Sequence, residues 1–337
     1  MATEAETSRA GQQTSEEVQW MDWGEEPFRR ARLEEKLIVL DSGATWCHWC
    51  HVMDRVTYED PEVARLLNER FIPVRIDRDR LPDIDAHYQR AEAIVRSQGN
   101  GWPLTVVITP EGHTLFKATF LPPRAGGDFR ASIGLVELLQ HLDKAWREQG
   151  QEIRRLGDQN ADARARQESG TVRPGALRPE IVDDVQAGIL ANHDAAHGGF
   201  GGAPKFFAAP SLELLLSRAS QGDAPARAAL ERTLDAMARG GVYDQIGGGF
   251  HRYSVDERWH VPHFEKMAYD NAALLSVYAD AAALMDKPEY ERVAREALDW
   301  IRRVLTAPEG KGFHASQDAD VGLSDDDRAL QWFADND

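Results

Sequence analysis

The sequence contains only two cysteines among 337 residues, Cys47 and Cys50, which excludes a framework of several disulfides. No apolar run approaches the roughly 20 residues that a membrane-spanning helix needs, so no membrane partner is expected. Residues 1–17 lack the basic and apolar zones of a secretory signal, which favours a cytoplasmic location. A purely structural disulfide is disfavoured in that compartment, so the pair is expected to cycle, bind metal or carry a cofactor.

Basic residues are also scarce relative to acidic ones. Lys and Arg number 39 against 56 Asp and Glu, which gives a net charge of −17. Such a charge repels polyphosphate backbones and anionic lipid surfaces. Nucleic acid is therefore excluded as a class of partner, whereas proteins and small molecules remain open.

Composition and pattern divide the chain into four segments. Residues 1–17 are polar and acidic without periodicity, which predicts a disordered lead-in. Residues 18–156 alternate strand and helix patterns, and 157–178 form a polar stretch broken by Gly and Pro that predicts a linker. Residues 179–337 show helical spacing and no convincing strand, so we expect an α/β domain joined to an all-α domain.

The α/β segment carries a βαβαββα order after one amphipathic helix. Strands are predicted at 37–40, 71–76, 104–109 and 114–119, and helices at 24–36, 51–69, 83–97 and 131–156. The strand at 37–40 is a continuous apolar run, which is typical of a central strand. The cysteine pair follows this strand directly and precedes a helix.

Both cysteines fall in Trp46-Cys47-His48-Trp49-Cys50-His51, a CxxC pair. A cysteine at a helix N-terminus gains unpaired N–H groups, which can lower a thiol pKa from ~8.5 to between ~3.5 and ~7.5. Cys47 is therefore predicted as the nucleophile. Cys50, one turn deeper, is expected to be less exposed and to act as the resolving thiol.

Five further residues are expected to support this pair. Trp46 and His48 flank Cys47 and are predicted to tune its redox chemistry, because a protonated His48 would favour the thiolate; the alternative is a solvent-facing His48 without influence. Asp41, on the preceding strand, could relay a proton to or from Cys50. Trp102 and Pro103 form a predicted substrate platform, with Pro103 either a cis-proline facing the pair or a trans-proline opening a strand.

Two other chemistries of the CxxC pair are disfavoured. Cys47, Cys50 and His51 match the c-type haem attachment pattern, but that chemistry normally belongs to exported chains and this motif follows a βα pattern. A zinc site needs about four ligands, and the cysteines supply only two. We therefore expect neither a cofactor nor a metal.

The helical segment contains an internal repeat. Helices are predicted near 179–192, 210–219, 224–239, 267–286 and 289–306. Gly199-Phe200, Gly249-Phe250 and Gly312-Phe313 each lie in a Gly-rich loop, with two helices between successive loops. Because a helix pair returns the chain to the end it started from, these three loops are expected to share one rim.

Polar and aromatic residues in these loops predict a rim pocket for a possible carbohydrate ligand. Its predicted members are His251, Arg252, Tyr253, Asp256, Trp259, His263, Glu265, Lys266, Gln317, Asp318 and Asp320. Glu265 and Asp318 are the first candidates for an acid–base pair, with His251 and His263 as alternatives for proton transfer. Helix capping by the acidic residues is the competing interpretation.

Several stretches resemble a known family. MDWGEEPFRRARLEEK, CHWCHVM, DRDRLPDID and GWPLTVVITPEG resemble the thioredoxin-like N-terminal domain of the YyaL-like, spermatogenesis-associated family. HGGFGGAPKF, GGVYDQIGGGFHRYSVDERWHVPHFEKMAYDNA and GFHASQDAD are similar to that family's helical region, which resembles six-hairpin glycosidases and N-acylglucosamine 2-epimerases. The likeness covers about residues 18–320.

This resemblance implies an α/β thioredoxin-like domain followed by an all-α partial (α/α) toroid of about three helical hairpins. Asp41 matches the buried aspartate of thioredoxins in spacing, although the nearest relatives usually carry a small residue there, and the thioredoxin likeness favours a cis Pro103. Family chains are about twice as long, so truncation, self-association or a degenerate domain is expected.

The leading functional hypothesis is a thiol-disulfide oxidoreductase that acts on a protein thiol or disulfide partner. The alternatives are a sugar-binding or epimerase-like protein that uses the rim, and a non-enzymatic interaction scaffold.

Overall fold

The computed structural model describes residues 17–95, 99–127, 129, 131–171, 175, 178 and 180–320. The predicted disordered lead-in, apart from residue 17, and the tail after residue 320 lie outside the described residues. The described residues up to 171 form one compact unit, the N-terminal unit, and those from 175 to 320 form the C-terminal unit. No helix in these described ranges is long and apolar enough to cross a bilayer.

A five-stranded mixed sheet forms the centre of the N-terminal unit. Its strands are β1 (Met21–Asp22), β2 (Ile38–Gly43), β3 (Ile72–Asp77), β4 (Leu104–Ile108) and β5 (Thr114–Ala118). They lie in the order β1-β3-β2-β4-β5, with β1, β3 and β2 parallel and β4 antiparallel to both β2 and β5. The apolar run that opens β2 is fully buried, as expected for a central strand.

Five helices surround this sheet in sequence order. They are α1 (Glu25–Glu34), α2 (His48–Met53), α3 (Pro61–Arg70), α4 (Pro82–Arg90) and α5 (Leu135–Thr171). A π-helical turn at Asp54–Tyr58 continues α2, and α3 then starts anew because the Asp60 carboxylate accepts bonds from the first-turn N–H groups of Glu62 and Val63. The order and pairing of these elements give a thioredoxin-like α/β fold.

The helix predicted at 131–156 extends further than expected, because α5 continues to Thr171 and covers most of the predicted linker at 157–178. The two units divide between residues 171 and 175, within that linker. The segment contains many strong helix formers, and a single Gly costs a helix only about 1 kcal/mol. Gly157 also serves packing, since a Cβ atom there would lie 2.6 Å from the His113 ring. Gln149 is the one residue that breaks the helical backbone angles of α5.

The C-terminal unit is all-α apart from short strand pairs. Its helices are α6 (Glu180–Ala191), α7 (Ala209–Ser220), α8 (Ala224–Arg239), α9 (Ala268–Met285) and α10 (Pro288–Trp300). α7 packs on α8 and α9 packs on α10 as hairpins, while α7 contacts α9 and α8 contacts both α6 and α10. This two-layer pairing is a partial (α/α) toroid, with two hairpins and one further helix in the described part.

The sequence predicted no strand in this unit, and that prediction is wrong. Four two-residue strands occur: β6 (Tyr253–Ser254), β7 (Pro262–His263), β8 (Lys266–Met267) and β9 (Ser316–Gln317). β6 pairs with β7 and β8 pairs with β9, both antiparallel. A strand of two residues is too short to show an alternating apolar pattern, so the sequence gives no signal for these strands.

The three Gly-Phe loops share one backbone bridge. Each Phe closes an isolated bridge to a residue at the end of the preceding helical segment: Phe200 with His193, Phe250 with Tyr243, and Phe313 with Thr306. The loops follow α6, α8 and α10, whereas the hairpin turns that follow α7 and α9 lie at the opposite end. The internal repeat in the sequence is therefore a structural repeat.

Candidate active site

Cys47 and Cys50 are paired as a disulfide, with their Cα atoms 5.3 Å apart. Cys47 is the N-cap residue of α2, and its Sγ accepts a hydrogen bond from the Cys50 backbone N–H at 3.2 Å. The same N–H also donates to the Cys47 carbonyl oxygen at 3.1 Å, so this first-turn donor is shared between the carbonyl and the sulfur. The same bond would stabilise a thiolate on Cys47 after reduction.

Both cysteines are nearly buried, and their order of exposure differs from the prediction. Cys47 is 5% exposed and Cys50 is 9% exposed, so Cys50 is not the more enclosed of the two. The reason is a cavity of about 390 Å³ that has Cys50 in its wall. We call it the Cys50 cavity.

The Cys50 cavity is strongly acidic. Apart from Cys50, its wall includes Gly43, His51 and Arg75, together with the four aspartates Asp22, Asp41, Asp54 and Asp77. A Cβ atom added at Gly43 would lie 3.3 Å from Cys50 Sγ, so the absence of a side chain there leaves room beside the sulfur.

Asp41 lies buried in the same wall, as the sequence predicted from its spacing to the cysteines. Successive side chains alternate along a strand, so Asp41 lies on the face of β2 from which a Cβ atom at Gly43 would approach Cys50 Sγ. Burial raises the pKa of Asp41 to about 6, against the opposing charge of Arg75 and with the help of the Asp54 charge. A carboxyl group with this pKa can both accept and release a proton near neutrality.

Arg75 is a site residue that the sequence analysis missed. Its Nε donates to Asp41 Oδ2 at 2.9 Å, and its second arm pairs with Asp54. The guanidinium also lies over the ring of Trp20 at 4.3 Å. The parallel register of β2 and β3 places Arg75 directly beside Asp41, and only that register could have revealed it.

The second oxygen of Asp41 has no such partner. Oδ1 is buried and makes no hydrogen bond with any described residue. The Tyr58 hydroxyl is near enough to influence the carboxyl group, but it too lacks a partner of hydrogen-bond geometry in the described part. One buried oxygen of the Asp41 carboxyl group is therefore without a hydrogen-bond partner among the described residues.

Trp46 and Trp102 connect the cysteine loop to the start of β4. Their rings meet edge to face with centroids 5.8 Å apart. Trp46 Nε1 donates to Asp79 at 2.7 Å, and Trp102 Nε1 donates to the buried Asp85 at 3.0 Å. Both indoles are therefore fixed in place beside the disulfide.

Pro103 follows Trp102 through a cis peptide bond, so the predicted isomer is confirmed. The antiparallel register pairs Ser42 with Leu104, and its continuation sets Pro103 opposite Gly43. A Cβ atom at Gly43 would lie 3.3 Å from Cys50 Sγ, so this register places Pro103 opposite the β2 residue that borders Cys50, and its role in a substrate platform stays a prediction.

His48 is fully buried, which makes the solvent-facing interpretation wrong. Its ring meets that of Trp49 edge to face, with centroids 5.7 Å apart. The position between the two cysteines is thus an interior one, and a tuning role for His48 stays a prediction.

Three predicted members of the rim pocket have internal roles in the C-terminal unit. Trp259 is fully buried, and its Nε1 donates to the Gly198 carbonyl at 3.3 Å. Lys266 is 2% exposed, and its Nζ donates a hydrogen bond to Asp244 Oδ2. Asp256 accepts bonds from three backbone N–H groups of its own loop, including that of Val261 at 2.6 Å. These side chains make bonds within the loops, and a ligand-binding role for them stays a prediction.

A buried lysine–aspartate pair occurs in each of the first two Gly-Phe loops. Lys205 Nζ binds Asp194 Oδ2 at 2.6 Å and the Gly198 carbonyl at 2.9 Å. Lys266 Nζ binds Asp244 Oδ2 and the Gly248 carbonyl at the same two distances. We call these two pairs the loop staples.

The remaining rim residues form a polar and aromatic cluster, which we call the Arg252 cluster. Arg252 pairs with Asp270 at 2.6 Å and lies between the rings of Phe206 and Tyr269, both about half exposed. Tyr253 stacks on Phe206 at 4.8 Å, while its other neighbour is His263, itself paired with the buried Glu265. Burial raises the pKa of Asp270 despite the Arg252 charge, and Glu265 contributes in the same direction.

His251, Glu265 and Asp318 are the other residues that the sequence analysis predicted for proton transfer. Burial lowers the pKa of His251 to about 4, helped by the Lys266 charge, so its ring is neutral at pH 7. β8 pairs Lys266 with Gln317, which sets Glu265 and Asp318 at the next position of the same strand pair.

Gln317 accepts a bond from Trp300 Nε1 at 3.1 Å, and Asp318 accepts one from the Asp320 backbone N–H at 3.0 Å. The strand register places Glu265 and Asp318 at neighbouring backbone positions, and their role as an acid–base pair stays a prediction.

Comparisons with known proteins agree with this architecture. Residues 3–164 match the Thioredox_DsbH family, described as "Protein of unknown function, DUF255". The chain is 35% identical over 311 residues to human Spermatogenesis-associated protein 20, covering 90% of this chain and 39% of that protein. These matches confirm the resemblance to the spermatogenesis-associated, thioredoxin-like family. An uncharacterized Caenorhabditis elegans relative, B0495.5, is 33% identical over 317 residues, which cover 92% of this chain and 42% of that protein.

The chain thus spans about two fifths of the length of these curated relatives. Among solved structures, similarity extends to a DsbH oxidoreductase, 20% identical with a TM-score of 0.30, over 40% of this chain and 92% of that one. It also extends to cellobiose 2-epimerase from Spirochaeta thermophila, 20% identical with a TM-score of 0.35, over 44% and 42% of the two chains. The fold assignment rests on the strand order and helix pairing above.

Proposed function

We propose that the N-terminal unit is a thiol-disulfide oxidoreductase that exchanges electrons between Cys47–Cys50 and a protein partner. The observation that supports it best is the disulfide between an N-cap cysteine and a cysteine that lines the same cavity as a buried carboxyl group, Asp41. This combination supplies a nucleophile, a resolving thiol and a proton acceptor within one local structure.

In the reduced protein, the Cys47 thiolate attacks one sulfur of a partner disulfide and releases one partner thiolate. The Asp41 carboxylate accepts the proton of the Cys50 thiol, and the resulting thiolate attacks Cys47 Sγ. The second partner thiolate then leaves, and two electrons have passed from the dithiol to the partner. The partner thiols take up the two protons that the cysteines lost to Asp41 and to water. The reverse sequence oxidises a partner dithiol.

Pro103 and Trp102 are proposed to hold the partner's backbone beside Cys47. Proline has no N–H of its own, so an extended peptide can pair with the carbonyls next to it without competition. The fixed indole of Trp102 supplies an apolar surface at the same place.

Trapping of the mixed disulfide tests this proposal. Cys50→Ser should hold partners covalently on Cys47, because the second attack is lost. Cys47→Ser is the matched control, since it keeps one thiol but removes the N-cap nucleophile. If neither variant traps a thiol-containing protein and the wild-type disulfide has no measurable reduction potential, the proposal is wrong, and the dithiol would be vestigial in an interaction scaffold.

We further propose a carbohydrate as ligand of the Arg252 cluster in the C-terminal unit. The supporting observation is the association of half-exposed aromatic rings with the Arg252–Asp270 pair and the nearby Glu265. Apolar ring faces suit the C–H face of a sugar, while the charged pair suits its hydroxyl groups. The raised pKa of Asp270 is also of the kind that a general acid needs.

This second proposal is tested with a panel of mono- and disaccharides, each examined for a ligand-induced shift in the melting temperature. Asp270→Asn should remove the shift, and Asp280→Asn, an exposed change on the same helix, should leave it intact. An absence of any shift with the wild-type protein across the panel would contradict sugar binding.

A further inference from the structure

The Cys50 cavity offers a second approach to the disulfide, on the side of the resolving cysteine. Of the two cysteines, Cys50 is the one in its wall, and Gly43, which leaves space beside Cys50 Sγ, is in the wall too. A volume of about 390 Å³ lies within the range of small-molecule sites. It accommodates a thiol of a few heavy atoms, whereas a folded protein cannot enter.

The charges around this cavity favour a cation. Asp22, Asp54, Asp77 and Asp41 face a single arginine, Arg75, whose guanidinium is already paired with Asp41 and Asp54. The buried Asp41 Oδ1 makes no hydrogen bond with any described residue, so it is an acceptor that a ligand's N–H group could satisfy. A concave site with one sign of charge raises the local concentration of ligands of the opposite sign.

The chemistry of exchange also favours attack at this sulfur. When a thiolate attacks a disulfide, the sulfur that leaves more easily is the one whose thiolate is better stabilised. Cys47 Sγ accepts the Cys50 N–H at 3.2 Å, shared with the Cys47 carbonyl, and none of the described residues donates such a bond to Cys50 Sγ. Cys47 is therefore the better leaving group and Cys50 the sulfur to be attacked. Only enclosure of Cys50 would prevent this, and the cavity removes that obstacle.

We infer that the Cys50 cavity admits small cationic aminothiols, which reduce the disulfide by attacking Cys50 Sγ, and that it disfavours anionic thiols. This inference rests on the proposed redox function and adds a second class of reductant. The aminothiol thiolate forms a mixed disulfide with Cys50, and the S–S bond breaks to release the Cys47 thiolate. A second aminothiol then displaces Cys50, so that two thiols become one small disulfide and the protein gains two electrons.

The test compares cysteamine with 3-mercaptopropionate, which differ mainly in the sign of their charge. The oxidised full-length chain is mixed with each reagent at equal thiolate concentration and low ionic strength, and the reduced fraction is followed by alkylation and mass spectrometry. Rates are divided by those for bis(2-hydroxyethyl) disulfide to remove intrinsic reactivity. Cysteamine should be faster on the order of 10-fold or more, and the ratio should fall in high salt.

Two variants and one mapping experiment sharpen the test. Asp22→Asn removes an exposed charge of the cavity and should lower the ratio about 2-fold or more, whereas Asp83→Asn, an equally exposed aspartate outside it, should not. Acid quenching after a short pulse of cysteamine should locate the mixed disulfide on Cys50.

Dithiothreitol, which is uncharged, separates this inference from the proposed function. Reduction by dithiothreitol together with a cysteamine ratio near one, or a mixed disulfide on Cys47, would overturn the inference and leave the oxidoreductase intact. A disulfide that dithiothreitol does not reduce would refute both.

Discussion

The replacement Asp41→Asn should stabilise the N-terminal unit above pH 7. The same replacement removes the proposed proton acceptor. Burial raises the pKa of Asp41 from an ordinary 3.8 to about 6. Each tenfold difference in proton affinity corresponds to about 1.4 kcal/mol, so the ionised carboxylate costs the folded state about 3 kcal/mol. Asparagine keeps the shape and an acceptor for Arg75 Nε without the charge.

The direction with pH follows from the raised pKa. Protonated Asp41 is favoured in the fold, so its contribution to stability is complete below pH 3.8 and is lost as the pH rises through about 6. The Asp41→Asn variant has no carboxyl group at this position, so its stability does not fall in this way. The stability difference between variant and wild type should therefore grow by about 1.5 kcal/mol between pH 5 and pH 8, because about half of the loss has already occurred at pH 5.

Hydrogen exchange of the β2 and β3 peptides is the suitable assay, because the chain has two units and global unfolding would not report on this one alone. Exchange is measured in both redox states, with intrinsic rates corrected for pH. Glu25→Gln, an exposed change on α1, is the control for the loss of a surface carboxylate in the same unit. A difference between Asp41→Asn and wild type that stays constant from pH 5 to 8 would refute the reasoning.

Three further substitutions have clear expected outcomes. Gly43→Ala should slow reduction of the disulfide by dithiothreitol several-fold, since the new Cβ lies 3.3 Å from Cys50 Sγ; an unchanged stopped-flow rate would contradict this. Gly199→Ala should cost about 2–5 kcal/mol in thermal unfolding, because its φ is +79° and its Cβ would lie 2.5 Å from the Trp259 ring, whereas Gly202→Ala, with open space around it, should cost little. Lys266→Met should destabilise its loop by about 3 kcal/mol in hydrogen exchange, because the Asp244 carboxylate loses its buried partner; equal protection in both proteins would argue against the staple.

The sequence predicted those parts of the fold whose pattern lies within one contiguous stretch of residues. The apolar run at 37–40 predicted the central strand, and the helical spacing after residue 179 predicted all five described helices of the C-terminal unit. β1 has only two residues, Met21–Asp22, and obtains its structure from pairing with β3, so no local pattern precedes it. The end of α5 was misjudged because a polar helix without an apolar face has the composition of a linker.

The candidate site was predictable only where spacing along the chain was sufficient. Asp41 and the cysteines are separated by a short, fixed path through β2, so their proximity follows from strand geometry. Arg75 lies 34 residues from Asp41 and meets it only because β2 and β3 pair in one of several possible registers. A slip of one residue would have turned Arg75 to the opposite face of the sheet.

The loop staples are a second case in which residues far apart in the sequence meet in the fold. The sequence contains two such pairs, and the sequence analysis recognised neither. Lys205 follows Asp194 by 11 residues, whereas Lys266 follows Asp244 by 22, because the second loop contains the extra β6–β7 ribbon. A fixed period therefore cannot align the two lysines, although both end on equivalent atoms. In the third loop, Ala307 stands where the bridge pattern of the other loops has the aspartate, and its N–H bonds the Gly312 carbonyl in the same way. The backbone fold of the repeat thus forms without the ion pair, and the staple is an addition that fixes the two loops bordering the Arg252 cluster.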